Sequence, residues 1–275
     1  MILYKLYFRV FFILLVFGST AVLAKELSIQ ECKDLSKTIS SNASLSLIER
    51  KNLWEKNKEQ CSWNGLYQFY LMDYYVAMND YTEAKIIADS ILKDEKKFDS
   101  SISKVILSYS INLDMMNPDL HQQAREKIYR LMKEYEDLYE GYALMGFLSM
   151  SENKFEDAKN WYLKAIKETE EPEKLARVYA GLSSAYFYLK KSDREVLETF
   201  KKSWDLDRGR ALLDDRACRA AVFILLSQDK INDSKYILTM QKKYIHSIEE
   251  NINYIEAKEA VAQYENKLKR TVKRE

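Results

Sequence analysis

Glycine and proline are scarce in this sequence. Its 275 residues include six glycines and two prolines, whereas about 7% and 5% are the usual shares of these residue types. Tight hairpin turns and glycine-rich ligand loops depend on them, so their scarcity disfavours both features and favours long helices. Because 47% of the residues are hydrophobic, the chain can still form a substantial core.

Patterns typical of catalytic and metal sites are also missing. The two histidines, His121 and His246, lie 125 positions apart, and neither has a nucleophile pattern beside it. The three cysteines do not have the spacing of a zinc site. The acidic stretch from residue 205 to 215 lacks the glycine and glutamate positions of a calcium loop, so we expect its aspartates to close one helix and begin the next. We therefore predict no enzyme activity, no metal site and no cofactor.

The charges of the chain nearly cancel, with 43 basic residues against 42 acidic ones. Nothing in this balance indicates a nucleic acid or an anionic membrane as partner. The last residues form a short basic tail. Cations are favoured at the C-terminal end of a helix, so the tail is better explained as a solvated helix end than as a nucleic-acid patch.

The segment from residue 1 to 24 has the three-part layout of a secretory signal peptide. An apolar run follows Lys5 and Arg9, and small residues lead to a cleavage position after Ala24. The alternative is an uncleaved membrane anchor, but the 15 residues from 10 to 24 fall short of the roughly 20 that span a bilayer. We expect an exported chain, periplasmic or secreted, with no stable membrane insertion after cleavage.

Export bears on the cysteines, because an oxidising compartment allows disulfides to form. Cys32 and Cys61 flank two short helical patterns, at 28–38 and 45–57, so a disulfide across a helical hairpin is the prediction. Closing a loop of this length would stabilise the fold by about 3 kcal/mol. Cys218 lies within an apolar helical pattern, and we predict a buried free thiol there.

A short pattern recurs along the chain at intervals close to 38 residues. Each copy joins a polar turn to a small residue that opens a second helix, and these residues are Ala84, Ala124, Ala158, Val196 and Ser234, separated by 40, 34, 38 and 38 positions. Mostly apolar or small residues stand four and seven positions after each of them, a spacing that keeps one helix face against a partner helix. A period of this length predicts five stacked helix-turn-helix units from residue 64 to about 244.

The repeats resemble the tetratricopeptide repeat (TPR) family. The similarity is strongest in the third copy, where the signature positions hold Tyr142, Met145, Gly146, Ala158, Tyr162, Ala165 and Pro172, and the turn aromatic is Phe155. The intervals of 38 residues also fit a related α-hairpin repeat of longer period, and a non-repetitive helical bundle is the remaining alternative. The resemblance implies an all-α fold, a right-handed α-solenoid of about five repeats.

The ends of the chain differ from the repeats. Residues 25–63 form an N-terminal helical hairpin that could cap the repeat region of residues 64–244. Residues 245–275 are predicted to form a C-terminal capping helix, because a solenoid needs a terminal element with one polar face. Its apolar side would contain Ile248, Ile252, Ile255, Ala260 and Tyr264.

Stacked repeats of this family line a concave groove with their first helices. On that register, the groove-facing candidates are Phe69, Tyr70, Asp73, Phe147, Met150, Tyr188, Arg216, Arg219 and Phe223. The resemblance implies that another protein, as an extended peptide or a helix, binds there. The family's mode of gripping a terminal carboxylate uses lysine and asparagine, but the matching places hold Phe69 and Asp73, so that mode is not expected.

Together these features predict an exported, non-enzymatic scaffold or adaptor that mediates protein–protein interaction in the cell envelope or secreted space. The alternative is a carbohydrate- or peptide-binding solenoid that assists an envelope hydrolase or a secretion or assembly machinery. An aromatic groove would serve either function, and the sequence does not separate the two.

Overall fold

The computed structural model of the chain describes residues 27–42, 44–94, 100–245 and 248–272. This part is built from fourteen α-helices and two short 3-10 helices, Pro118–Leu120 and Ile248–Glu250, and it contains no strand. The α-helices are α1 (Ile29–Ser41), α2 (Leu47–Cys61), α3 (Gly65–Ala77), α4 (Tyr81–Lys93), α5 (Ser100–Met115), α6 (His121–Glu134), α7 (Leu138–Ser151), α8 (Phe155–Lys167), α9 (Pro172–Tyr188), α10 (Asp193–Leu206), α11 (Arg208–Leu213), α12 (Asp215–Ser227), α13 (Ile231–Tyr244) and α14 (Ile252–Val272). The all-α prediction is confirmed, whereas the proposed signal segment and His246 lie outside the described residues.

The chain divides into two compact units, and the division falls after Leu113. The first unit includes α1 to α4 and nearly all of α5. The second begins at Asp114 and includes α6 to α14. Each unit has its own clusters of buried apolar residues.

The five small residues of the repeat pattern are all buried in second helices. They fall in α4, α6, α8, α10 and α13, and none is more than 1% exposed. The positions four and seven residues later are buried as well: Ala88, Ile91, Ile128, Leu131, Tyr162, Ala165, Phe200, Ser203, Leu238 and Gln241. Within the units, α3 packs on α4, α7 on α8, α9 on α10 and α12 on α13. The predicted packing stripes are therefore confirmed.

Four hairpins share one backbone turn. Asn79, Asn153, Lys190 and Asp229 have left-handed φ values between 56° and 59° at corresponding places. In each turn, the N–H of the following residue donates to the carbonyl five residues earlier, as Lys154 does to Ser149 at 2.8 Å. The connection from α5 to α6 instead uses the 3-10 helix Pro118–Leu120, which Asn117 caps. That different turn explains the irregular spacing of the second copy.

The acidic stretch after α10 behaves as predicted but adds a helix that the repeat pattern did not indicate. Asp207 follows the last residue of α10 and caps the N-terminus of α11 by accepting the N–H of Arg210 at 3.0 Å. Asp214 then caps α12 through the N–H of Ala217 at 2.8 Å. Side-chain caps of this type satisfy N–H groups that a helix cannot pair internally.

The C-terminal helix α14 packs on α12 and α13 with a face that only partly matches the predicted one. Of the predicted residues, Ile248 is buried in the core, and Ala260 and Tyr264 pack against it. Ile252 is instead 62% exposed, and the fully packed positions of α14 are Tyr254, Ala257 and Val261. The difference arises because α14 begins only at Ile252, after the 3-10 helix Ile248–Glu250.

The first unit contains the predicted disulfide. Cys32 of α1 and Cys61 of α2 are joined, with their Cα atoms 5.7 Å apart, and both are fully buried. Trp54 and Tyr67 pack edge to face beside them in the same core, with ring centroids 4.9 Å apart. In the second unit, Cys218 is a buried free cysteine, as predicted.

We expect the disulfide to stabilise the first unit measurably. A separation of 29 residues between the cysteines corresponds to about 3 kcal/mol of unfolding free energy, because the link restricts the unfolded chain. Cys32→Ser should lower the denaturant midpoint, and adding a reductant should lower that of the wild type by the same amount. Cys218→Ser is the control and should keep the reductant-dependent shift. A wild-type midpoint that does not respond to reductant would contradict the prediction.

Candidate functional site

One pocket in the second unit collects charged, polar and aromatic side chains. Its volume is about 370 Å³, and its walls come from α7, α8, α9, α11, α12 and the beginning of α14. The lining residues are Phe147, Met150, Ser151, Tyr162, Arg177, Ser184, Arg210, Leu213, Asp214, Asp215, Arg216 and Asn253. We call this the Arg216 pocket. Its size falls in the range of about 300–1,000 Å³ that is typical of ligand sites.

Tyr162 forms the floor of the Arg216 pocket. Its ring is fully buried against Gly146 of α7 and Gly181 of α9. A Cβ atom at either glycine would lie 2.5 Å from a ring carbon, so only glycine leaves room for the ring. The Tyr162 hydroxyl is buried and has no hydrogen-bond partner among the described residues. An unpaired buried hydroxyl costs about 1–3 kcal/mol.

Three arginines line the pocket, and they differ in their partners. Arg177 donates from one nitrogen to both carboxylate oxygens of Glu140, at 3.0 and 2.9 Å. Arg210 forms an exposed ion pair with Glu173 at 3.4 Å. The half-buried guanidinium of Arg216 forms no ion pair or hydrogen bond with any described residue. Of these three arginines, Arg216 is therefore the one whose guanidinium has no acceptor among the described residues.

The two aspartates of the pocket already hold donors from the chain. One oxygen of Asp214 accepts the Ala217 N–H at 2.8 Å and the Ser184 hydroxyl at 3.0 Å. Asp215 accepts its neighbour's N–H at 3.0 Å and the side-chain amide of Asn253 at 2.7 Å. Burial raises the pKa of the Asp214 carboxyl, an effect that the Ala217 hydrogen bond opposes. A raised pKa reduces the tendency of this group to carry charge.

Three of the predicted groove residues line the Arg216 pocket, namely Phe147, Met150 and Arg216. Phe147 is half-buried, with its ring centroid 5.5 Å from that of Tyr162 and the guanidinium of Arg177 4.9 Å from it. Met150 is only 3% exposed, so it forms a wall of the pocket.

Tyr188, Arg219 and Phe223 form a separate cluster nearby. Arg219 donates to the Tyr188 hydroxyl and forms an ion pair with Glu256 of α14. Its guanidinium also lies 5.8 and 5.9 Å from the ring centroids of Tyr188 and Phe223. Tyr188 in turn stacks on Phe155 at 4.5 Å. The charge and rings of this cluster are largely satisfied within the chain.

The remaining predicted residues, Phe69, Tyr70 and Asp73, lie on α3 in the first unit. Phe69 contacts Tyr70 and the edge of Tyr109, with ring centroids 5.5 and 5.7 Å apart. The Tyr109 hydroxyl donates to exposed Asp73 at 3.2 Å. These residues form an aromatic cluster of their own, and their role in binding stays a prediction.

Sequence reasoning missed most of the polar lining of the pocket. Tyr162 was correctly predicted as a packing residue, but the position of its hydroxyl depends on two glycines in neighbouring first helices. In a chain with only six glycines, the positions of Gly146 and Gly181 within first helices were the available signal. Arg210 and Leu213 arrive on α11, which the repeat pattern did not predict.

Two further features limit the chemistry of the described residues. No cluster of three or more histidine, cysteine, aspartate or glutamate side chains among them is arranged to hold a metal ion. None of the helices in that part of the chain has both the length and the apolar character needed to cross a membrane.

Comparisons with known proteins define the fold. No family model and no curated protein matches the sequence. Among solved structures, the chain is similar to one in the APC/C hetero-tetramer Cut9-Hcn1, with a TM-score of 0.56 and 11% identity over 85% of this chain and 46% of that chain. The present chain thus corresponds to less than half of that protein.

Two TPR structures are more distant. The P58(IPK) TPR domain has a TM-score of 0.38 and 10% identity, over 87% of this chain and 66% of that one. The TPR2AB domain of yeast Sti1, solved as a complex with pHSP90, has a TM-score of 0.33 and 16% identity, over 86% and 96%. From its helix order, its buried repeat positions and the Cut9 similarity, the chain has an all-α, TPR-like helical-repeat fold of the solenoid class.

We predict that Gly181→Ala lowers the unfolding free energy by about 1–3 kcal/mol, because the added methyl group collides with the buried ring of Tyr162. Urea unfolding measures the change. The control is the same substitution in a Tyr162→Ala background, where the ring is absent and the added cost of the methyl group should largely disappear. An equal cost in both backgrounds would contradict the proposed contact.

Proposed function

We propose that the chain is an exported, non-catalytic scaffold or adaptor that binds a segment of another protein through the second unit. The observation that carries this proposal is the Arg216 pocket, which opens among successive first helices of a TPR-like fold. Apolar walls with a few convergent polar groups are typical of recognition sites. The walls here are Phe147, Met150 and Leu213, and the polar residues include Arg216 and Tyr162.

Export is supported by the signal-like segment of residues 1–24 and by the disulfide of the first unit. Disulfides persist mainly in oxidising compartments, such as the periplasm or the secreted space. The two observations are independent, since one comes from composition and the other from the packing of α1 on α2.

A protein partner is favoured over a carbohydrate because other side chains cover the faces of the predicted groove's aromatic rings. Sugars bind on exposed ring faces, yet Tyr188 stacks on Phe155 and Phe147 is covered on one side by Arg177. A peptide segment needs pockets for side chains and donors for polar groups, and the Arg216 pocket supplies both. The carbohydrate-binding alternative therefore has less support.

The test is affinity capture of the tagged chain from its own cells after mild cross-linking. We expect the chain outside the cytoplasm, with a mass that begins near Lys25, together with a co-purifying protein in a fixed ratio. Phe147→Ala should reduce capture at least tenfold, because it removes one wall of the pocket. The control is Trp204→Ala on α10, a large aromatic residue outside the pocket, which should retain the partner.

Helicity of both variants is checked by circular dichroism, so that loss of folding is not mistaken for loss of binding. A monomeric chain with no enriched protein under several growth conditions would contradict the scaffold role. Recovery of the chain only from the cytoplasm, with residues 1–24 intact, would contradict export.

A further inference from the structure

We propose that the Arg216 pocket binds a carboxylate group carried by an acidic peptide segment of the partner. This inference rests on the proposed function, because it specifies the chemistry of the segment that the scaffold holds. It concerns the pocket in the second unit and involves neither Phe69 nor Asp73 on α3.

The first observation is the set of donors that the chain leaves unused. Tyr162 lines the pocket, and its fully buried hydroxyl has no partner among the described residues. The Arg216 guanidinium lines the same space and is likewise unpaired within the described chain. A buried hydroxyl and a guanidinium without acceptors are complementary to a group that only accepts hydrogen bonds.

The second observation is that the acidic residues of the pocket do not fill this need. Both oxygens of Asp215 already accept hydrogen bonds, from the Arg216 N–H and from Asn253. Asp214 is committed to Ala217 and Ser184. Burial raises the pKa of the Asp214 carboxyl, and the Arg216 guanidinium lowers it electrostatically. That guanidinium forms no ion pair or hydrogen bond with either carboxylate, so its N–H donors are available to a ligand.

The third observation is that the neighbouring Arg177 also has unused N–H donors. Glu140 occupies one nitrogen of its guanidinium, which leaves other N–H donors on the same group. Planar guanidinium groups bind carboxylates through two parallel hydrogen bonds, a geometry that a lysine could not supply. Two guanidinium groups and one hydroxyl around a single space favour a carboxylate over a neutral amide.

The apolar lining fits the rest of an acidic peptide. Phe147 and Met150 form one wall, and Leu213 stands at the mouth with 58% of its surface exposed. These side chains can contact the methylene groups of a glutamate or an apolar neighbour in the segment. A volume of about 370 Å³ is large enough for such a combination.

The experiment measures binding of an array of fluorescein-labelled ten-residue peptides to the purified exported protein by fluorescence anisotropy. Each peptide carries a central glutamate or a matched glutamine, its neighbours are drawn from leucine, phenylalanine, tyrosine and serine, and its C terminus is either free or amidated. We expect the tightest glutamate peptides to bind at least tenfold more tightly than their glutamine matches. A preference that follows the free C terminus would instead assign the carboxylate to a chain end.

Two variants and one control locate the binding. Arg216→Gln should abolish the tenfold preference, whereas Arg194→Gln should keep it, because Arg194 has the same charge but its side chain is 83% exposed on α10. Tyr162→Phe should weaken carboxylate binding several-fold while raising the melting temperature, since it removes an unpaired buried hydroxyl. A purely structural tyrosine would leave the affinity unchanged.

The inference is overturned if no peptide in the array depends on a carboxylate, or if the Arg216 and Arg194 variants behave alike. Capture of a partner from cells alongside either result would refute the carboxylate chemistry and leave the scaffold role standing. Failure of that capture together with carboxylate-dependent peptide binding would instead contradict the scaffold role and leave the carboxylate chemistry of the pocket standing.

Discussion

The close approach of the two helices in the hairpins α3–α4, α7–α8, α9–α10 and α12–α13 is the constraint on which the rest of the structure depends. It requires a small residue where the second helix begins, and the four residues at this place, Ala84, Ala158, Val196 and Ser234, are essentially inaccessible to solvent. A larger side chain there would separate the helices, and packed interiors tolerate such insertions poorly. The stripe four and seven residues later can reach the partner helix only because this approach is close.

Polar contacts then join one repeat to the next at a separation of about one period. Arg177 of α9 pairs with Glu140 of α7, 37 residues earlier. Asn253 and Glu256 of α14 contact Asp215 and Arg219 of α12, at separations of 38 and 37 residues. In the second unit α14 therefore occupies the place of a further first helix, which explains how one terminal element covers the last repeat.

The same packing creates the candidate site. Because Gly146 and Gly181 admit the ring of Tyr162 between α7 and α9, Tyr162 lines the same space as Arg216 of α12. In the proposed function, one residue thus serves both structural packing and recognition. A position that the repeat pattern assigns to the core can therefore also line a pocket when its neighbours in adjacent helices are glycines.

The sequence was sufficient for the all-α fold, the buried stripes and the Cys32–Cys61 disulfide, because each depends on local periodicity or on a pairing with few alternatives. It was insufficient for α11, whose six residues carry too little pattern. It also placed Ile252 on the buried side of α14, where the structure leaves it exposed, since the short 3-10 helix before α14 changes the phase.

The pocket was only partly predictable for a related reason. Phe147 and Arg216 follow from the register of first helices, whereas the Tyr162 hydroxyl and the partners of Arg177 depend on contacts between elements about one repeat apart. A single sequence indicates which face of a helix is buried. It does not indicate which donors remain unpaired after the helices have packed.

The most direct test of the packing constraint is urea unfolding of Ala158→Leu beside Ala262→Leu. Ala158 is fully buried at the start of α8, whereas Ala262 is exposed in α14, so both changes add the same groups to a helix in different surroundings. The account predicts a loss of about 1–3 kcal/mol of unfolding free energy for Ala158→Leu and a change within about 0.5 kcal/mol for Ala262→Leu. Equal stability of the two variants would contradict it.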